Sequence, residues 1–359
     1  MLKRYEITKN LTNLFTSVKF SKTLSAFIFL NLFYFLLGSP NNTSSEILNS
    51  ESEEELLAGN FENEDAELDS DDSVEKNVVL NLYRREDPDY PYVLDLNTIN
   101  DAPINNNLST EIIIHGWLNS GDSTWVLRMK DKYFLNGDHN VITIDWSSYA
   151  KLGYIYASNK VEKSGKYVAK VLTPLIESGK LDTENIHIIG HCLGGHMAGF
   201  IGKYTQRKLE RNIGRITGLD VARHLYEFPW MISKKKRLVK DDALFVDIIH
   251  ACGGDYGFKS ALGHADFYPN GGTSRQPGCI ILTPLSCSRM RSVAYYTESI
   301  NTKNFQATPC DSWKNYKKGR CDGVEQMVMG FHIDVNAASS LPGSKYYLRK
   351  NKREPFSKG

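Results

Sequence analysis

Gly190-His191-Cys192-Leu193-Gly194 is the segment whose residue types and spacing point most directly to chemistry. It follows the apolar run Asn185–Ile189 and precedes a stretch with helical character, Met197–Tyr204. This is the layout of a G-x-S-x-G nucleophile elbow with Cys in the central position. A central residue at a tight strand-to-helix turn projects its side chain over the helix N-terminus, where backbone N–H groups can stabilise an anion. Gly190 and Gly194 leave room for the close packing such a turn needs. A thiol there is a competent nucleophile when a histidine takes its proton. The chain holds nine histidines. It also holds six cysteines, Cys192, Cys252, Cys279, Cys287, Cys310 and Cys321, none in a CxxC or His/Cys spacing of the kind zinc requires, so no metal and no cofactor is expected.

The elements that must position these groups follow an α/β pattern. Apolar, β-branched runs recur at Glu111–Ile114, Asn140–Asp145, Asn185–Ile189, Arg215–Asp220 and Leu244–His250, with helical stretches at Asn159–Ile176 and His191–Lys208. Continuous buried runs alternating with helices predict a mostly parallel central sheet with helices on both faces. Among the 359 residues, 43 Lys and Arg stand against 42 Asp and Glu, and the net charge of +1 argues against a dedicated nucleic-acid binder. The balance conceals three regions. Residues 1–38 hold five basic residues ahead of Leu24–Gly38, an apolar run interrupted by Asn31. That run is shorter than the roughly 20 residues of a membrane span and reads as a signal peptide, with a signal anchor as the alternative. Residues 39–76 are an acidic spacer or propeptide, too poor in apolar groups to offset its own ordering entropy. Residues 77–359 form the folded body. In an exported chain an even cysteine count reads as disulfides, and the short spacings suggest Cys279–Cys287 and Cys310–Cys321. Asn41, Asn42 and Asn107 open N-glycosylation sequons.

Several long motifs occur in order along the body: IIIHGWLNSGDSTW at Ile112–Trp125, NVITIDWSS at Asn140–Ser148, the elbow, TGLDVA at Thr217–Ala222 and DALFVDIIH at Asp242–His250. GHADFYPNGG at Gly263–Gly272, QPGC at Gln276–Cys279, CSRMRSVAYYTESI at Cys287–Ile300 and GSKYYLRKNKREPF at Gly343–Phe356 complete the series. Over about 78–357 the chain resembles the animal pancreatic-lipase family, most of all its secreted phospholipase A1-like and neutral-lipase-like insect members. The resemblance implies an α/β-hydrolase fold and, in active relatives, hydrolysis of ester bonds in triglycerides or phospholipids. It maps the family's triad onto Cys192, Asp220 and Arg289, where active relatives carry Ser, Asp and His. It assigns the oxyanion hole to the backbone N–H groups of Trp117 and Leu193. It also implies that this chain lacks the C-terminal β-sandwich with which pancreatic lipases hold a protein cofactor.

Two of these positions depart from the family's chemistry. Arg289 cannot accept a proton at physiological pH, and losing a triad's nucleophile or base lowers turnover on the order of a millionfold. His250, near the Asp220 strand, is the least implausible substitute base. Arg289 can instead satisfy Asp220, ideally as a bidentate pair. Cys192 then becomes an inert or reactive thiol, or bridges to Cys252. Val221 replaces the Pro of the family's GLDPA, which leaves the aim of Asp220 open. The family's lid is reduced to Ile280–Ser286, whose Ile280, Ile281, Leu282 and Leu285 could meet a lipid surface. A short lid implies an open cleft. The basic runs Lys234–Arg237 and Lys345–Lys358 offer contacts for anionic lipid. The expectation is a secreted, extracellular lipase-family protein without hydrolytic chemistry that binds a lipid or membrane surface (phospholipid or acylglycerol), stores, or interacts with an unidentified protein. The alternative is an active phospholipase A1 or triglyceride lipase with Cys192 as nucleophile.

Overall fold

The computed structural model describes residues 73–279, 284–340 and 344–358. The signal-like run and the acidic segment up to residue 72 lie outside them. Eleven strands form one sheet: β1 Val79–Arg84, β2 Asp87–Leu94, β3 Thr110–Ile114, β4 Asn140–Asp145, β5 Ile186–His191, β6 Arg215–Leu219, β7 Phe245–Ile249, β8 Ala265–Pro269, β9 Gln306–Pro309, β10 Met327–Val328 and β11 Ser344–Leu348. Their spatial order is β10-β9-β11-β8-β7-β6-β5-β3-β4-β1-β2. The stretch from β4 through β3, β5, β6, β7 and β8 to β11 is parallel throughout. Antiparallel pairs β1–β4 and β1–β2 close one edge, and β9–β11 and β9–β10 the other. The body begins slightly earlier than its expected start at 77, because Val74 of a short helix, Val74–Asn77, is already buried.

Alternation along each strand sends successive side chains to opposite faces. Ile113, Ile189, Leu219, Ile249 and Phe267 face one layer, where they pack with Val126, Met129 and Tyr133 of α1 (Thr124–Asn136) and with Val293 and Tyr296 of α4 (Pro284–Ser299). The alternate residues Ile112, Ile188, Ile216 and Ile248 are equally buried, on the face covered by α2 (Tyr154–Glu177) and α3 (Leu193–Leu209), which pack on one another. Both faces are therefore dry, which is why these strands read as unbroken apolar runs.

Register places the site. Ile114 of β3 pairs with Gly190 of β5, and Gly190 pairs with Gly218 of β6. The three strands end level, so the chain segments that leave their carboxyl ends are neighbours. At their amino ends the layer beneath α1 and α4 buries polar groups instead. Glu111 lies 3.4 Å from His139 Nδ1 and 3.2 Å from His187 Nδ1, and Arg215 pairs with Asp247 at 2.8 Å. Burial opposes ionisation of Glu111, but hydrogen bonds from His139 and His187 prevail and hold its pKa at about 2. A folded-state pKa below the unfolded value of 4.5 contributes stability above pH 4.5 that is lost as pH falls toward 2. Urea unfolding of the parent and Glu111→Gln should therefore show a stability gap at pH 7 that narrows below pH 4. A gap of constant size down to pH 3 contradicts this ionisation.

Candidate active site at the carboxyl edge of the sheet

Cys192 is the single residue between β5 and α3, with φ 59° and ψ −120°. A non-glycine residue held there costs about 1–3 kcal/mol, and the surroundings enforce it. Cys192 N–H donates to Leu219 O at 3.1 Å, and Ala222 N–H donates to Cys192 O at 3.1 Å, so the elbow is pinned to the end of β6. A Cβ on Gly194 would sit 2.5 Å from Ile114 O, and a Cβ on Gly116 would sit 2.5 Å from Cys192 Cβ. Glycine at both positions lets the loop after β3 lie directly against the elbow. Leu193, the first residue of α3, presents an N–H with no intrahelical acceptor. Trp117 follows Gly116 in the same loop, and its indole N–H donates to Leu152 O at 2.8 Å.

Asp220 follows β6 with φ 45° and is fully buried. Its Oδ1 accepts from Ala251 N–H at 3.0 Å and Cys252 N–H at 2.7 Å. Its Oδ2 lies 3.4 Å from Arg289 Nε. This contact is within ion-pair distance but outside hydrogen-bond geometry, since Asp220 Oδ2 and Arg289 Nε and Nη2 are all without hydrogen-bond partners among the described residues. The expected bidentate pair is therefore not formed; the backbone grip on Oδ1 fixes the carboxylate plane. Burial raises the Asp220 pKa, against the pull of Arg289 and the two N–H donors. Burial also disfavours the Arg289 charge, yet its pKa is raised because the nearby Cys192 side chain and Asp220 more than compensate. Its guanidinium carbon stands 5.4 Å from the centre of the Tyr256 ring. Cys192, Asp220 and Arg289, scattered over 98 residues, thus meet at one point.

Three buried histidines near the elbow are engaged elsewhere or held neutral. His250 is buried with Nδ1 on Phe258 O at 2.9 Å and Nε2 on Asp266 Oδ1 at 2.8 Å, so both ring nitrogens are engaged away from Cys192. His196 bonds Ala222 O through Nε2, and its Nδ1 accepts from Leu238 N–H; burial lowers its pKa to about 3. His191 is buried against Trp125, and burial, followed by the Arg289 charge, holds its pKa well below the usual value.

Other expectations need correction. Cys192 and Cys252 are both free thiols, not a third bridge, and burial with the nearby Asp220 charge pushes the Cys252 thiol up to about 12. The two expected disulfides, Cys279–Cys287 and Cys310–Cys321, are both formed and need no correction. Of the short lid, Ile280, Ile281 and Leu282 lie outside the described residues, while Leu285 already belongs to the first turn of α4. An open cleft does not reach the elbow, because Cys192 is 2% exposed. The basic runs are also interrupted. Arg237 is buried with its guanidinium on Leu238 O and Ile232 O, Lys236 pairs with Glu162, and Lys350 is buried over the Phe305 ring. Tyr154 and Tyr226, buried beside the Cys192 sulfur, were not singled out from the sequence; they come from separate segments, and no spacing marks them.

A strained elbow between a parallel strand and a helix, an acid after the next strand and a glycine-bearing loop laid against the elbow are the arrangement of an α/β-hydrolase fold. A family model described as Lipase matches residues 41–356, and the chain belongs to the lipase family. Pancreatic lipase-related protein 2 of Cavia porcellus is 37% identical over 63% of this chain and 52% of its own length. Inactive pancreatic lipase-related protein 1 of Homo sapiens is 32% identical over 77% and 64%, and human pancreatic triacylglycerol lipase 31% over the same shares. The chain thus spans about half to two thirds of the length of these relatives. Among the described residues no helix is long and apolar enough to cross a membrane.

A thiol titration checks the cysteine assignment. Ellman's reagent should find essentially no reactive thiol in the native protein and two per chain in guanidinium; fewer than two would reinstate a third bridge.

Proposed function

We propose that this protein is a secreted member of the lipase family that keeps the ester-binding architecture and has lost the hydrolytic chemistry. Its role is to bind an acyl lipid, a phospholipid or acylglycerol, at a surface. The observation that carries the reading is Arg289, whose Nε lies 3.4 Å from Asp220 where a general base would have to stand. A triad histidine must take the nucleophile's proton and return it to the leaving group, and its carboxylate partner holds the tautomer. A guanidinium has no lone pair to offer at physiological pH. Cys192 alone would be tolerable, since thiols are the least demanding nucleophiles, but it still requires a proton acceptor. The engaged nitrogens of His250 and His196 support the same conclusion.

The other groups attributed to catalysis remain in place. Leu193 and Trp117 supply the oxyanion-hole N–H groups, and Asp220 keeps the acid's position, now neutralised by Arg289. The shortened segment between Cys279 and Cys287 favours a phospholipase A1-like ancestor over a triglyceride lipase. The leader-like run Leu24–Gly38 and the two disulfides favour export.

The test is hydrolysis of phosphatidylcholine and of a short-chain ester by the full chain and its variants. The parent and Cys192→Ser should both be silent. The double variant Cys192→Ser, Arg289→His should gain turnover by about 10³-fold or more over the parent, part of the roughly millionfold that a complete triad contributes. Turnover by the parent that is lost in Cys192→Ala would overturn the reading and restore the thiol enzyme.

A further inference from the structure

The replacement of base by cation changes what the site can hold as well as what it can do. Arg289 offers its side-on fork, Nε and Nη2, and neither donor has a hydrogen-bond acceptor among the described residues although both atoms are buried. A buried donor without an acceptor is unfavourable, so a ligand that brings paired oxygens has something to gain. Asp220 is prevented from filling this role because its Oδ1 is held by Ala251 and Cys252 N–H. Close by, His191 is 4% exposed with neither ring nitrogen partnered among the described residues. The positive end of the 17-residue helix α3 adds a partial charge of the same sign.

An apolar rim adjoins these groups. Trp117 packs edge-on against Tyr154, with ring centres 5.3 Å apart, and its indole is tied to Leu152 O. Tyr154 O–H donates to His224 O, which brings the loop carrying Leu225 alongside. Leu118, Leu152, Ile155 and Leu225 are exposed by 51, 47, 65 and 40%. A soluble protein seldom gathers exposed aliphatic side chains of this kind without an apolar ligand or surface to meet them.

We propose that the altered site receives the carboxylate of a long-chain fatty acid, held by the Arg289 fork with the N–H groups at the start of α3, while Leu118, Leu152, Ile155 and Leu225 take the alkyl chain. Planar guanidinium and planar carboxylate match in two parallel hydrogen bonds, which an uncharged ester cannot accept with the same strength. The inference rests on the non-hydrolytic reading, because a fatty acid is what an active relative would release and this protein would retain.

Binding of oleate, methyl oleate and oleyl phosphate to the full chain, each below its aggregation concentration, tests the assignment by calorimetry. Oleate should bind at least tenfold more tightly than methyl oleate. Arg289→Gln should abolish that preference, and Arg289→Lys, which keeps the charge but not the fork, should retain only part of it. Circular dichroism of both variants confirms that they fold, and the Lys variant decides the matter if the Gln variant does not. Equal affinity for oleate and its ester, no binding of either, a preference that survives Arg289→Gln, or binding of oleyl phosphate alone each overturns the carboxylate site. Release of oleate from methyl oleate in the same samples would instead sink the non-hydrolytic reading, so the two failures are distinguishable. A silent protein that does not discriminate sinks only the present inference.

Discussion

Everything at the site depends on the parallel register of three strands. With Ile114, Gly190 and Gly218 side by side, the loop holding Gly116, the elbow at Cys192 and the turn at Asp220 leave the sheet at one level. A shift of one residue in any of the three would turn its side chains to the opposite face and separate the groups. The register is secured by burial on both faces: a slip would carry Glu111, His187, Thr217 and Asp247 into the layer of Ile112, Ile188, Ile216 and Ile248, where no partner awaits them. The strain at Cys192 is sustained by the same framework, through its hydrogen bonds to the Leu219 and Ala222 backbone.

Upon that framework the guanidinium of Arg289 beside Asp220 acts electrostatically. Asp220 is a fully buried carboxylate, and a buried charge persists only with compensation. Two backbone N–H groups supply part of it and Arg289 supplies the rest. Removing the cation alone would leave the carboxylate short of a partner, which is far more damaging than never having had the pair. Arg289 therefore has a structural role that owes nothing to catalysis, and the Tyr256 ring beneath it helps to hold a cation away from water. The incomplete geometry of the pair leaves hydrogen-bonding capacity on the buried guanidinium.

The legibility of the sequence varied with burial. The runs at Glu111–Ile114 and Asn140–Asp145 became β3 and β4 nearly residue for residue, and the helical stretches became α2 and α3 with modest extension. Strands covered on both faces carry a strong signal because most of their positions are apolar and β-branched. The edge strands do not: β2 alternates poorly and is mostly exposed, and β10 has two residues. The spacing of Cys279 and Cys287 gives no sign that α4 already starts at Pro284, since disulfide spacing says little about local backbone. The charged runs are partly taken up within the fold. Lys236, Arg237 and Lys350 are adjacent to other cations in sequence but are turned toward Glu162, toward backbone carbonyls and over an aromatic ring in the fold.

The sequence by itself determined the α/β layering and the elbow, because these are properties of residue type and local periodicity; that Arg289 falls where active relatives carry the base is what the family resemblance implies. Only the tertiary structure decided that Cys192 and Cys252 stay apart as thiols, that His250 is occupied elsewhere, and that Arg289 meets Asp220 off-axis with its fork unpaired. Those outcomes turn on distances of a few ångströms between segments far apart in the chain, and no spacing along one strand of sequence encodes an angle between side chains drawn from different strands, loops and helices.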